Sequence, residues 1–135
     1  IGALAAALVL ALTIAVWRGQ TPNAAPSAQT FGRLSSAQLA ARLANKDFVF
    51  INVHIPYEGE IEKTDAFIPF NEIGKHLGQV PADKSAQIVL YCRSGYMSST
   101  AAEELLQRGF TNVSHLEGGM LAWQRAGYQL LDRPR

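Results

Sequence analysis

Two short apolar runs, at residues 48–53 and 87–91, and a short strand expected at residues 113–116 set the pattern of the chain. Phe48-Val49-Phe50-Ile51-Asn52-Val53 and Gln87-Ile88-Val89-Leu90-Tyr91 are nearly unbroken and rich in β-formers. Runs of this kind suit strands buried on both faces of a parallel sheet, whereas half-exposed strands alternate. Between the runs the period turns helical. Leu39 and Leu43 form an apolar stripe within residues 34–43, with Ser35 or Ser36 as the N-cap. Residues 99–108 follow the second run as a helix, and Gly118-Gly119 opens a last one carrying Leu121, Ala122 and Trp123. Residues 71–77 suggest a helical turn, and residues 80–85 a plain turn. Residues 55–70 read as an exposed loop, because Pro56, Gly59 and Pro69 interrupt them and Glu58, Glu60, Glu62 and Asp65 make them acidic. That charge run fits a solvated surface better than a metal site. Alternating strands and helices predict a small α/β domain with a mainly parallel central sheet flanked by helices.

Residues 1–17 are apolar and carry no charge, and Trp17-Arg18 follows as suits a membrane–water interface. At about 1.5 Å per residue the run spans a little less than a bilayer core of about 30 Å, so a few more apolar residues would complete a transmembrane helix. A secretory signal peptide is the rival, but Asn23-Ala24-Ala25 and Pro26-Ser27-Ala28 each lack the small residue that opens a cleavage site. The expected layout is an anchor over residues 1–18, a flexible linker over 19–33 and the domain over 34–135. The linker carries Pro22 and Pro26 and, over residues 20–29, no charge. Ala3, Ala7, Ala11 and Ala15 share one face of the anchor, which would let another transmembrane subunit pack closely, unless the stripe is only composition. By the commoner pattern, the domain lies on the extracytoplasmic (periplasmic) side of the membrane.

Charge narrows the function classes. Twelve Lys and Arg against eleven Asp and Glu give a net charge of +1. That is no electrostatic footprint for nucleic acid. The single cysteine excludes an intramolecular disulfide. It stands where the second apolar run stops, at the head of a Gly-containing loop that leads into a helix. Backbone N–H groups of such a loop can converge on one spot, and the helix adds its positive end. A thiol held there should be acidified, and the thiolate is the reactive form. The alternative, a small buried hydrophobe, is the common fate of a free cysteine. Ligands of open α/β sheets sit beyond the carboxyl ends of the strands. His54, Cys92 and Glu117-Gly118 all fall there, so His54 could be a pocket base or simply a loop histidine. His54 and Cys92 alone do not make a zinc site. No metal or cofactor is expected, and His76 and His115 have no partner legible in the sequence.

Cys92-Arg93-Ser94-Gly95-Tyr96-Met97-Ser98 resembles the active-site loop of the rhodanese (sulfurtransferase) family. The stretch beyond it agrees: Gly109-Phe110, Val113, Leu116-Glu117-Gly118-Gly119, Trp123 and Gly127. The resemblance covers roughly residues 34–131. It implies a rhodanese-like fold, with Cys92 as the nucleophile that takes up a sulfur atom. It also implies that Arg93, Ser94, Gly95, Tyr96, Met97 and Ser98 line the substrate site. Arg93 would hold an anionic donor, Gly95 would let the backbone turn, and Ser98 or Ser99 would cap the helix and donate to the persulfide. The chain departs from the family after the first core strand. Asn52-Val53-His54 stands where Asp-Val-Arg is common, and residues 55–61 replace the usual Gly-His-Ile-x-Gly-Ala segment.

The expected activity is sulfur transfer from thiosulfate or a persulfide to a thiol or cyanide acceptor through a Cys92 persulfide. The chief alternative is a weakly catalytic or non-catalytic accessory subunit of a membrane complex. Related phosphatases place Arg six positions after the cysteine, and that position is Ser98 here, which argues against phosphate chemistry.

Overall fold

The computed structural model describes residues 30–133. Eight elements build it: β1 (Gly32–Leu34), α1 (Ser36–Leu43), β2 (Val49–Asn52), β3 (Ala66–Phe67), β4 (Ile88–Tyr91), α2 (Tyr96–Gln107), β5 (Val113–Leu116) and α3 (Gly119–Arg125). Two single 3-10 turns, Ile73–Lys75 and Leu77–Gln79, stand where the sequence suggests one helical turn. The five strands form one sheet in the order β1-β5-β4-β2-β3, and every pairing is parallel.

The apolar runs are continuous because helices cover both faces. Along β4, side chains alternate. Ile88 and Leu90 pack with Ala101, Ala102 and Leu105 of α2. Val89 and Tyr91 pack with Leu39 and Leu43 of α1 and with Met120 and Trp123 of α3. Burying each such aliphatic side chain contributes about 1.5–3 kcal/mol. The centre of the sheet, from which Cys92 emerges, is therefore its best-anchored part. Ser35 settles the start of α1. Its Oγ accepts from Gln38 N–H at 3.1 Å while Gln38 Oε1 accepts from Ser35 N–H at 2.9 Å, a reciprocal cap.

Two strands lie where the sequence reading has none. Gly32 and Arg33, assigned to the linker, form β1 with Leu34 and pair with Ser114 and His115 of β5. The close approach needs a glycine, since a Cβ at Gly32 would lie 2.6 Å from Ser114 Oγ. Ala66–Phe67, inside the expected loop, extends the sheet beside Ile51 and Asn52. The acidic run is also less solvated than expected. Glu60 is buried and its backbone bridges to Leu131. The Asp65 carboxylate accepts Phe50 N–H at 2.8 Å and Lys46 Nζ at 2.7 Å. Tyr91 Oη accepts Ile61 N–H at 2.9 Å and lies 2.7 Å from Thr64 Oγ1. Burial raises the Tyr91 pKa, so the phenol stays neutral and serves as a strut for this segment.

Among the described residues no helix is long and apolar enough to cross a membrane. The expected anchor at residues 1–18, its alanine face and the linker up to residue 29 lie outside the described residues.

Candidate active site

The site forms at the carboxyl edge of the sheet, as the strand ends require. The chain leaves β4 at Cys92, turns through Arg93, Ser94 and Gly95, and enters α2 at Tyr96. Gly95 has φ +108°, a conformation that side chains other than glycine rarely adopt, and it is the N-cap of α2. The helix thus begins three residues before Ser99, where the sequence pattern places it, and neither Ser98 nor Ser99 caps it. Ser99 Oγ instead donates to the Tyr96 carbonyl at 2.7 Å.

Cys92 is 1% exposed, although Arg93, Ser94 and Tyr96 around it are open to solvent. Gly95 N–H donates to its Sγ at 3.0 Å, and Ser98 Oγ stands 3.5 Å away. Both groups lie at the positive end of a twelve-residue helix. An anionic sulfur is favoured at such a place. The turn of α2 that carries Ser98 also faces β5. Ser98 Oγ lies 2.8 Å from His115 Nδ1, and the imidazole meets the Phe31 ring edge-on with centroids 5.0 Å apart. Burial pulls the His115 pKa below its usual value of 6.5, Arg33 acts in the same direction, and Glu117 opposes both.

The predicted loop residues are together, but Arg93 and His54 have other partners. The Arg93 guanidinium pairs with the Glu58 carboxylate at 2.5 Å, and His54 Nε2 lies 3.0 Å from the same Oε2. Arg93 holds the Glu58 carboxyl below the usual range, helped by His54. His54 is buried and bonded to Glu58 rather than to Cys92. Its Nδ1 has no partner, so the tautomer with its hydrogen on Nε2 fits best, leaving only a lone pair unsatisfied. A cavity of about 210 Å³ opens on this side, lined by Glu58, Arg93, Met120, Leu121, Gln124 and Leu130.

Asn52, at the departure from the Asp-Val-Arg pattern, is fully buried and uses both ends of its amide. Its Oδ1 accepts His54 N–H at 3.0 Å, and its Nδ2 donates to the Gly59 carbonyl at 3.1 Å. An aspartate could not make the second bond. Asn52 therefore ties residues 54–59, and with them Glu58, to the end of β2. His115 and Glu58 are the two site residues that sequence reasoning missed. Both meet the loop only through tertiary structure, across sequence separations of 17 and 35 residues.

Residues 35–126 match the model of the Rhodanese-like domain family. A "Sulfurtransferase" of Allochromatium vinosum is 34% identical over 103 residues, covering 73% of this chain and 92% of that one. A "Probable adenylyltransferase/sulfurtransferase" of Mycobacterium tuberculosis is 34% identical over 86 residues, covering 61% of this chain but 21% of that one. The crystal structure of a rhodanese-like domain protein from Staphylococcus aureus superposes with a TM-score of 0.65 at 24% identity, over 77% of this chain and all of that chain. With the Cys92 loop, the all-parallel sheet and the glycine pair in place, the chain belongs to the rhodanese-like domain family, whose members include proteins named sulfurtransferase.

Proposed function

We propose that this chain is a sulfurtransferase that carries a sulfane sulfur on Cys92. One observation carries the reading: the chain's single cysteine ends the central strand, with Gly95 N–H and Ser98 Oγ at its sulfur. In the first step, the Cys92 thiolate attacks the outer sulfur of a donor. With thiosulfate, a new S–S bond forms, the donor S–S bond breaks, and sulfite leaves with the electron pair. In the second step, a thiolate or cyanide attacks the outer sulfur of the Cys92 persulfide, and Cys92 departs as thiolate. The charge sits on Sγ before the first step and again after the second, so fixed donors at Sγ support both the attacking and the departing thiolate. Mass spectrometry of the full chain after thiosulfate tests this. Cys92 should gain one sulfur atom and lose it to cyanide. An unmodified Cys92 after both thiosulfate and a persulfide donor would overturn the proposal.

The ion pair with Glu58 bears on the donor. The loop's one cation is already neutralised, which disfavours a dianion and suits a donor of lower charge. Read from the sequence alone, Arg93→Ala would raise KM for thiosulfate ten- to a hundredfold, the worth of one charge-assisted hydrogen bond of about 1.5–3 kcal/mol. With Glu58 in place the expected change shrinks to a few-fold, because solvent screens an exposed pair. Glu58→Gln should move KM for thiosulfate the other way, lowering it about two- to fivefold at low salt, and leave KM for an uncharged donor where it was. An unchanged thiosulfate KM in Glu58→Gln would show that the pair does not govern the donor.

A second reading, a weakly catalytic accessory subunit docking in a membrane complex, draws on the same neutralised Arg93 and the depth of Cys92. In both readings residues 1–18 tether the domain to a membrane on the extracytoplasmic side, as the uncharged apolar run over residues 1–17 suggests. Substituting Ala7 and Ala11 by leucine keeps the segment apolar while filling its small-residue face. The double variant should still reach the membrane but be lost from any larger complex recovered in mild detergent. Recovery of the same partners in the same yield would reduce the segment to a tether.

A further inference from the structure

Ser98 has one hydroxyl hydrogen and three neighbours within reach of it. Ser98 Oγ donates to the Gly95 carbonyl at 3.2 Å, lies 2.8 Å from His115 Nδ1 and accepts from the Cys92 thiol at 3.5 Å. The Gly95 carbonyl already accepts Ser99 N–H at 3.0 Å. The carbonyl has a second lone pair for the hydroxyl, so His115 and the charge on sulfur together decide which way it points: a thiolate can no longer donate and is a stronger acceptor than a carbonyl already in use. With bare Nδ1, the ring takes the hydroxyl hydrogen, and Ser98 turns only lone pairs toward sulfur. That arrangement suits a thiol and repels a thiolate. With hydrogen on Nδ1, the ring donates to Ser98 Oγ and leaves the hydroxyl hydrogen free for Sγ. The pair is enclosed, since Ser98 is fully buried and His115 is 6% exposed with Phe31 against its ring.

Resting on the persulfide reading above, we infer that His115 is a positioning residue for sulfur transfer. With its hydrogen on Nδ1, it aims the Ser98 hydroxyl at Cys92 Sγ, favouring the thiolate that attacks the donor and the same thiolate when it departs in the second step. No proton moves in the transfer itself, so one hydrogen-bond chain, His115 to Ser98 to Sγ, serves the thiolate at both ends of the cycle. The charges acting on the ring are Arg33 from β1 and Glu117 beyond β5, themselves paired at 3.9 Å. The chain needs only a neutral ring, which matches the burial of the imidazole.

The test is a titration of the full chain without any sulfur donor, read by ultraviolet thiolate absorbance. The chain has one cysteine, so after the share of its four tyrosines, read at the longer wavelength where tyrosinate absorbs, is subtracted, the thiolate signal is that of Cys92. His115→Leu should leave roughly tenfold less thiolate at a given pH, the lower end for a hydrogen bond to a charged group. Ser98→Ala should do the same, and the double variant no more, because His115 acts through Ser98. His115→Asn, whose amide can donate from close to the Nδ1 position, should recover most of the loss. In the wild-type chain, nitrogen NMR of the ring should show hydrogen on Nδ1 once Cys92 is ionised. Additive losses in the double variant, or a bare Nδ1 opposite the thiolate, would overturn the inference. The NMR arm decides even if His115→Leu does not fold. Since no donor is present, the titration reads this hydrogen-bond chain independently of whether Cys92 takes up sulfur.

Discussion

Cys92→Ser should abolish sulfur transfer, down to the background of a blank, while leaving the melting temperature within a few degrees of wild type. The two halves of that expectation come from different parts of the structure. Oxygen cannot carry sulfane sulfur as a persulfide, and a serine hydroxyl in this loop stays protonated at neutral pH, so no second nucleophile replaces the thiolate. The fold tolerates the change because the serine Oγ meets polar partners that already exist. Gly95 N–H is 3.0 Å from the sulfur, and Ser98 Oγ is 3.5 Å from it. A buried hydroxyl that keeps its hydrogen bonds costs little, on the order of 1 kcal/mol. Activity assays and thermal melts on the same preparation check both halves. Turnover equal to wild type would remove Cys92 from the mechanism. Loss of turnover together with a collapsed melt would mean that the cysteine acts through packing instead.

Much of the domain is legible in the sequence because its central strands are parallel and covered on both sides. Burial on two faces turns β2 and β4 into nearly unbroken apolar runs, and the strand order then brings Cys92, His54 and Glu117 to one edge. The edge strands are not legible. Gly32–Leu34 and Ala66–Phe67 have three and two residues, too few for any period to emerge. Their identity as strands comes from the neighbour each one pairs with. The acidic segment misleads for a related reason. Glu60 and Asp65 look like surface charges in composition, yet one is buried and the other accepts a backbone N–H of β2. The chemistry of the loop divides in the same way. Cys92 and the Gly95 turn can be read locally, because strand, turn and helix are contiguous. The groups that tune them cannot: Glu58 arrives from the segment after β2, and His115 from the next strand of the sheet.

The Glu58–Arg93 pair and the buried Asn52 amide also give the departure from the family pattern a physical meaning. Asn52 satisfies one donor and one acceptor of the following segment, and so fixes the course of residues 54–59. That course brings Glu58 to Arg93. The unusual residues after β2 thus act on the charge of the Cys92 loop.

Gly119→Ala should be the most damaging small substitution in the domain outside Cys92, because it strikes where α3 rests on the Cys92 loop. Gly119 has φ +58°, and a Cβ there would lie 2.4 Å from the Cys92 carbonyl oxygen and 2.5 Å from the carbonyl carbon and oxygen of Arg93. These are backbone atoms, which cannot swing aside as a side-chain tip can. The same contact satisfies free N–H groups at the start of α3, Met120 to the Cys92 carbonyl at 2.9 Å and Leu121 to the Arg93 carbonyl at 3.0 Å. Alanine therefore adds left-handed strain of about 1–2 kcal/mol. It also pushes the helix off the loop, weakening two hydrogen bonds of about 1 kcal/mol each. A total loss of about 2–4 kcal/mol is expected, large for a single methyl group. Sulfur transfer should fall with it, because the displaced carbonyls carry the loop that presents Gly95 N–H to sulfur. Gly109→Ala is the reference. It has φ +93° and open space around its Cβ position, so it carries backbone strain without collision and lies at the far end of α2 from Cys92. Denaturant melts and activity of the two variants separate strain from contact. If Gly119→Ala is no less stable and no less active than Gly109→Ala, the glycine pair is not what holds the loop in place.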